Sequence, residues 1–477
     1  MAARLAAIDS VELERDDQRA IGIMRRTLQQ DLATLTLPAF SGNESPSPPK
    51  CDYDSKIVVR VGRGLDSLRS RIYACYGWAQ SHVAVGEDTL DRLSILSRLG
   101  RTDDPDRRRE LFLALDPVWR SINRSNEPTS PYRVLLAAEV EQGQGLLPSL
   151  AQLGASGMPA DSLERWLLAM LETWRQSNPD SLIEPWDWYH RMGEASRRLS
   201  PRISRERLIQ LNADVFQSLG ADVEALGVDY DLEPRAGKTP VAYTTFAVRP
   251  RRRNGSWRPA KPLVVATYRS GGLDNLNELL HETGHAIHIA AIRTRPAYAD
   301  WPDSDPFTEA VADFVALEVY EPVWQQRWLG DSVPEEVSLR ARYAGIIMDV
   351  AWALFELRMQ RDPTADPNHT WTELTRNYLR IRPHPEISWW AMRGQLVDSP
   401  GYMMNYAAGA ILVAAIRERT RQLHGFFSTG NPTWYRWIAP RLFRFGLERS
   451  SKAVVTEFVG GPVSPAAILA DMSRMGD

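Results

Sequence analysis

LLHETGHAIHIAAIRTRPAYADWPDSDPFTEAVADF, residues 279–314, decides how the chain reads. His281 and His285 stand four residues apart, so in a helix of ~3.6 residues per turn their imidazoles share one face and can converge on one ion at ~2.0–2.1 Å. Glu282 leaves that face to one side, where it can reach a zinc-held water without ligating the metal. Zinc lowers the pKa of such a water towards ~7. A carboxylate within hydrogen-bond reach can then take the proton as the water attacks a polarised carbonyl, and later pass it to the leaving amine.

A site of this kind needs a third protein ligand and an open position for water. His288 lies seven residues from His281, roughly 10 Å along a helix axis, too far for all three histidines to grip one ion. It reads instead as a packing residue or as support for a ligand. Glu309 is the better candidate. Asp305 followed by Pro306 reads as a helix cap and first-turn proline, which makes FTEAVADFVALEVY a helix. Glu309 and Asp313 then share a face, with Glu309 placed to ligate zinc and Asp313 to accept the free N–H of a ligand histidine and fix its tautomer.

The rest of the composition narrows the function classes. With 43% hydrophobic and 25% charged residues, the 477-residue chain is globular rather than fibrous or disordered. A formal charge of -3 and dispersed basic residues argue against nucleic acid as a partner. Only five of the cationic residues are lysines. No window approaches the ~18–20 apolar residues of a membrane span, and the N-terminus becomes charged before any signal-like apolar run develops. Cys51 and Cys75 form no close metal pair, and two cysteines do not make a secreted disulfide scaffold. These features together point to a reduced, cytoplasmic setting with no membrane partner.

Helical spacing dominates from 60 to 220, in LDSLRSRIYACYGWAQ, RRRELFLALDPVWRSI, LERWLLAMLETWRQ and ERLIQLNADVFQSLG, the last capped by Ser204. Most of the sixteen tryptophans lie on such apolar stripes and read as core. PVAYTTFAV (240–248) and PLVVATY (262–268) break the rhythm as strands, with RPRRRNGSW between them as a solvated hairpin tip. Helix returns beyond 306, interrupted by RDPTADPNHT (361–370) and VDSPG (397–401), while SGNESPSPPK (41–50) reads as a loop. The expected fold class is mainly α with a small β-sheet beside the zinc helix. Residues 1–180 form an N-terminal helical part and 181–477 the catalytic region of one continuous fold.

Several segments in this order carry a resemblance. HETGHAIH with a glutamate twenty-eight residues after His281, EPWDWYHRM (184–192) and YDLEPRAGKTPVAY (230–243) are similar to the thimet oligopeptidase and oligoendopeptidase family of glutamate-zincin peptidases. EAVADFVAL (309–317) and FGLERSSKAVVTEFVGGPVSPAAILADM look more like the angiotensin-converting-enzyme branch. The resemblance implies a two-lobed clam-shell of helices with a deep central groove and one Zn2+ per chain at its floor. It implies His281, His285 and Glu309 as ligands and Glu282 as general base. PVAYTTFAV becomes an edge strand that pairs with an extended peptide, since main-chain hydrogen bonds hold peptides of any sequence. Short unstructured peptides are the expected substrates.

Relatives of this kind stabilise the oxyanion with a tyrosine, and SPGYMMNYAAGAI (399–411) resembles that segment, offering Tyr402 and Tyr406. An ungapped match places Gly409 at the later tyrosine, and the nearest upstream histidine is His384. The expected function is a zinc metallopeptidase. The alternatives are a dipeptidyl carboxypeptidase, with Arg393 or Arg358 holding the substrate carboxylate, a hydrolase dedicated to one peptide-like metabolite, and a catalytically silent zinc-containing peptide-binding protein.

Overall fold

The three sequence features that matter, a two-histidine helix, an acidic helix and an edge strand, acquire their relative positions from helix packing. The computed structural model describes residues 18–26, 48–51, 64–143, 146–178, 181–235, 238, 241–253 and 256–476. The N-terminal segment up to residue 17 and most of the 41–50 loop lie outside these.

The described chain is mostly helical with a small sheet. Helices α1 (Leu65–Ser81) and α2 (Ala160–Gln176) belong to the N-terminal part. Strands β1 (Asp229–Asp231), β2 (Tyr243–Val248), the hairpin β3 (Arg251–Arg253) and β4 (Ser256–Arg258), and β5 (Lys261–Val265) follow. Then come α3 (Leu273–Ala291), α4 (Asp305–Ala316), α5 (Glu335–Arg361) and α6 (Met403–His424). Strand β5 is central, parallel to β1 and antiparallel to β2, which leaves β2 at an edge as PVAYTTFAV predicts. Arg251–Arg253, expected as a hairpin tip, is itself a strand paired antiparallel with Ser256–Arg258.

One hydrophobic cluster runs from Leu65 to Met475. Seven tryptophans, at 119, 174, 324, 352, 371, 390 and 434, are essentially inaccessible within it. Their burial fits the core role read from their stripes, each supplying large apolar area. RRRELFLALDPVWRSI departs from a single helix, splitting into Pro105–Leu113 and Asp116–Asn123. Pro117 causes the break, since it can only sit in the first turn of the second helix.

The helix that carries Glu309 is fixed on both sides. On one side a Cβ at Gly284 would lie 2.5 Å from the carbonyl oxygen of Ala312 and 2.9 Å from its Cα, so α3 and α4 touch backbone to backbone there. On the other, α6 presents Gly409 3.5 Å from the Pro306 carbonyl and 3.7 Å from the Glu309 Cβ, measured from a built Cβ. The far end of α4 is braced by Arg417, buried on α6, which donates to the Phe314 carbonyl at 2.9 Å and pairs with Glu318 at 2.6 Å and Glu321 at 2.9 Å. Gly284→Ala is expected to cost about 1–3 kcal/mol in chemical denaturation, the range for overpacking a close contact. It should also weaken metal binding, because the two ligand helices must separate.

Two expectations are corrected. The cap of α4 is Ser304, whose side chain accepts from the Phe307 N–H, and Asp305 is the first helical residue. A serine is as good a cap as an aspartate, so Asp305-Pro306 alone could not fix the boundary. Cys51 and Cys75 are joined in a disulfide with Cα atoms 5.8 Å apart. Two cysteines allow one disulfide, but that residues 48–51 meet α1 is decided by tertiary structure, and disulfides favour oxidising settings. The cysteines therefore no longer argue for a reducing compartment. Among the described residues no helix is long and apolar enough to cross a membrane.

Candidate metal centre

α3 forms because apolar residues recur at helical spacing through LDNLNELLHETGHAIHIAA, and their burial turns the polar face of His281 and His285 towards α4. His281 Nε2 lies 3.5 Å from one Glu309 carboxylate oxygen and His285 Nε2 lies 3.6 Å from the other. One ligand atom from each of these three residues fits within 4.8 Å of the other two. Two imidazoles and a carboxylate are a donor set suited to zinc, and three protein ligands leave one tetrahedral position open.

Asp313 faces His281. Its carboxylate lies 2.7 Å from His281 Nδ1, which leaves Nε2 to face Glu309. Burial alone would lower the His281 imidazole, but the Asp313 and Glu309 carboxylates override it and hold it well above the ordinary histidine range. Asp313→Asn is expected to weaken zinc binding by about 10–100-fold, the usual effect of losing such a partner, in a competition titration with a chelating dye. His285 has no equivalent support, since its buried Nδ1 has no hydrogen-bond partner. Burial and the neighbouring His281 push it well below the ordinary range, which favours its neutral form.

Glu282 lines the same cavity and stands outside the three-residue cluster. The Thr244 hydroxyl lies 2.7 Å from its Oε2 and 2.9 Å from its main-chain carbonyl, tying the carboxylate to the edge strand. Burial raises its carboxyl above the usual carboxylate range, with His281 and Thr244 pulling the other way. A desolvated carboxylate is a stronger proton acceptor than an exposed one. The cavity, about 380 Å3, is further lined by Ala242, Tyr243, Trp301, Asp305 and Thr308. Sequence reasoning missed Thr244 and Trp301. The Trp301 ring meets His285, His288 and Phe246 edge-on, at centroid distances of 5.6, 6.0 and 5.4 Å.

His288 is a packing residue. It is fully buried among Trp301, Phe307 and Phe443, neither ring nitrogen has a partner, and burial lowers its pKa to about 3. His384 is held elsewhere, with Nε2 2.9 Å from Glu184 and Nδ1 2.6 Å from Glu386. Arg393 donates to Asp349 at 2.6 Å and lies over the Trp352 ring.

Tyr402 and Tyr406 open α6 with ring centroids 5.4 Å apart, and neither lines the cavity. Burial raises both phenols and the Glu309 carboxylate adds to it, so both remain protonated donors. The turn before them depends on Gly401 at φ +79, where a Cβ would meet Met404, Leu146 and Ser149 within 3.0 Å. Its N–H donates to Glu356 Oε1 at 2.6 Å, and Ser149 Oγ donates to the Pro400 carbonyl at 2.9 Å. Glu356 is buried on α5, and burial pushes its carboxyl up to about 8 although the Gly401 N–H pulls it down.

An unfolded glutamate releases its proton near ~4.5, so between that pH and about 8 the folded chain holds a proton that the unfolded chain has lost. The contribution is complete below the unfolded value and declines by up to about 1.4 kcal/mol per pH unit as pH rises through that window. Glu356→Gln should flatten the fall in stability between pH 6 and 8, measured by urea denaturation at each pH.

No family model matches the chain, and no curated protein matches it. Its likeness to known proteins is three-dimensional. It is similar to a provisionally named oligoendopeptidase F with 15% identity and a TM-score of 0.58, over 86% of this chain and 74% of that one. PZ peptidase A, solved with an inhibitor, gives 13% and 0.59 over 86% and 75%. A provisionally named peptidase from Chlamydophila abortus gives 14% and 0.54 over 99% and 81%. At these identities the likeness shows the fold, mostly helical with a small sheet. The similarity read in the C-terminal half to the converting-enzyme branch is not supported by these comparisons.

Proposed function

We propose that the chain is a zinc-dependent peptidase that hydrolyses short unstructured peptides. The observation that carries this reading is the convergence of His281, His285 and Glu309 within 4.8 Å in a cavity that also holds the Glu282 carboxylate, hydrogen-bonded by Thr244. Zinc, when held by those three residues, supplies a Lewis acid that polarises the scissile carbonyl and acidifies water.

The chain's own residues do the rest. Glu282 accepts the proton of the attacking water and returns it to the leaving amine. Asp313 holds the His281 tautomer. The free edge of β2 offers main-chain donors and acceptors to an extended peptide, and Tyr243 at its start is 45% exposed, so the strand is accessible beside the metal cavity. Tyr402 or Tyr406 donates to the developing oxyanion when the groove closes on substrate. In this reading residues 181–477 carry the chemistry and 1–180 build much of one lobe. A dipeptidyl carboxypeptidase fits less well, because Arg393 already serves Asp349.

The test is a series of unstructured peptides from about four to about fifteen residues, beside a folded protein, with products identified by mass. Internal cleavage of the peptides and an intact folded protein support the proposal. Uniform release of C-terminal dipeptides favours the exopeptidase alternative. No cleavage of any length leaves the dedicated hydrolase and the silent zinc protein.

A further inference from the structure

A second cavity, of about 440 Å3, opens just past the C-terminal end of α3. Its walls bring three guanidiniums, of Arg293, Arg295 and Arg444, against one carboxylate, Glu448, with Trp257 of the hairpin as the aromatic side. Arg295 Nε donates to Glu448 at 2.7 Å. The Arg293 and Arg444 side chains form no ion pair among the described residues, yet the main chain holds them together, since the Arg293 N–H donates to the Arg444 carbonyl at 2.9 Å. Both side chains are exposed and line this cavity, so beside the single carboxylate of Glu448 they leave it with a surplus of positive charge that favours an anion. Planar guanidiniums match carboxylate geometry in particular.

The cavity's place relative to the metal centre follows from register. Thr244 on β2 meets Glu282 on α3, and Phe246 meets Trp301, which in turn meets His285 and His288, so strand and helix advance in the same direction. From Glu282 to the end of α3 at Ala291 the helix advances about 14 Å at ~1.5 Å per residue, and Arg293 follows two residues beyond it. Five residues of strand from Thr244 to Arg249 cover about 16 Å at ~3.3 Å each. Arg249 pairs with Asp300 at that point, and the chain enters the hairpin that carries Trp257. A peptide laid along the free edge of β2 from the metal cavity therefore reaches the arginines after about five residues.

We propose that this cavity binds peptide carboxylates about five residues from the scissile bond, and so selects substrates that are acidic at one end. The proposal rests on the peptidase reading above, and its test separates the two. Fluorescein-labelled peptides with a common neutral core and three glutamates at the N-terminal end, at the C-terminal end, or at neither are titrated into the zinc-loaded Glu282→Gln protein, where no cleavage interferes. One of the two acidic peptides is expected to bind at least about 10-fold tighter than the neutral one, with a gain that shrinks as salt rises. The gain should vanish in Arg293→Glu/Arg444→Glu and fall in Arg293→Gln/Arg444→Gln, while turnover of the neutral peptide by the otherwise wild-type double variants stays unchanged. Amidating the peptide C-terminus tells side-chain carboxylates from a terminal one. Equal binding of all three peptides, or a gain that survives charge reversal, overturns the proposal. The binding pattern without turnover of any peptide by the wild type would instead overturn the peptidase reading and leave the site standing.

Discussion

Glu282→Gln is expected to lower peptide turnover by about 10²–10⁴-fold, the usual worth of a positioned general base, with zinc content unchanged. Glutamine keeps the size and the oxygen that the Thr244 hydroxyl meets at 2.7 Å, so the side chain stays in place and only its basicity is lost. Zinc content should hold because Glu282 stands outside the three-residue cluster that can hold the ion. The measurement is kcat/KM on one cleavable peptide beside metal analysis of the same samples. A variant that keeps more than about a tenth of the wild-type rate would remove Glu282 from the mechanism.

Glu309→Ala acts on the other half of the site. Removing one of three ligands should weaken zinc binding by more than about 100-fold, beyond the range for losing a residue that merely supports a ligand. Turnover should be lost at ordinary zinc and recover only in part at high zinc, because two histidines alone leave the ion loosely held. Folding should be nearly unaffected, since Glu309 is half-buried at the cavity and the α4 core face of Phe307, Val311, Phe314 and Val315 is untouched. The same metal titration on Asp313→Asn should fall between wild type and Glu309→Ala, which ranks ligand above supporting residue.

Local periodicity makes much of the candidate site legible in the sequence. His281, Glu282 and His285 are set by one helix, and Glu309 with Asp313 by a second, so each group needs only the ~3.6-residue repeat. What joins them is a tertiary contact, and the glycine that permits it, Gly284, lies unannounced inside the histidine motif. Thr244 reaches Glu282 from a strand thirty-eight residues earlier, and Trp301 covers His285 from an irregular loop. Neither has a sequence signature, because both depend on how the sheet and loop dock on α3. The cap at Ser304 lies one residue before the expected one, and two cysteines allow a single disulfide without showing that Cys51 and Cys75 come close enough to form it. Gly409, which the ungapped match sets at the later tyrosine, is instead a helix contact close to the Pro306 carbonyl and the Glu309 Cβ.

The most direct test of the whole account is peptide cleavage by one wild-type preparation before metal removal, after exhaustive chelation, and after stepwise return of zinc. Cleavage is expected to disappear with the metal and to be restored at about one equivalent of zinc per chain. Cleavage that survives complete metal removal, or a fully zinc-loaded protein that cleaves no peptide at all, would contradict it.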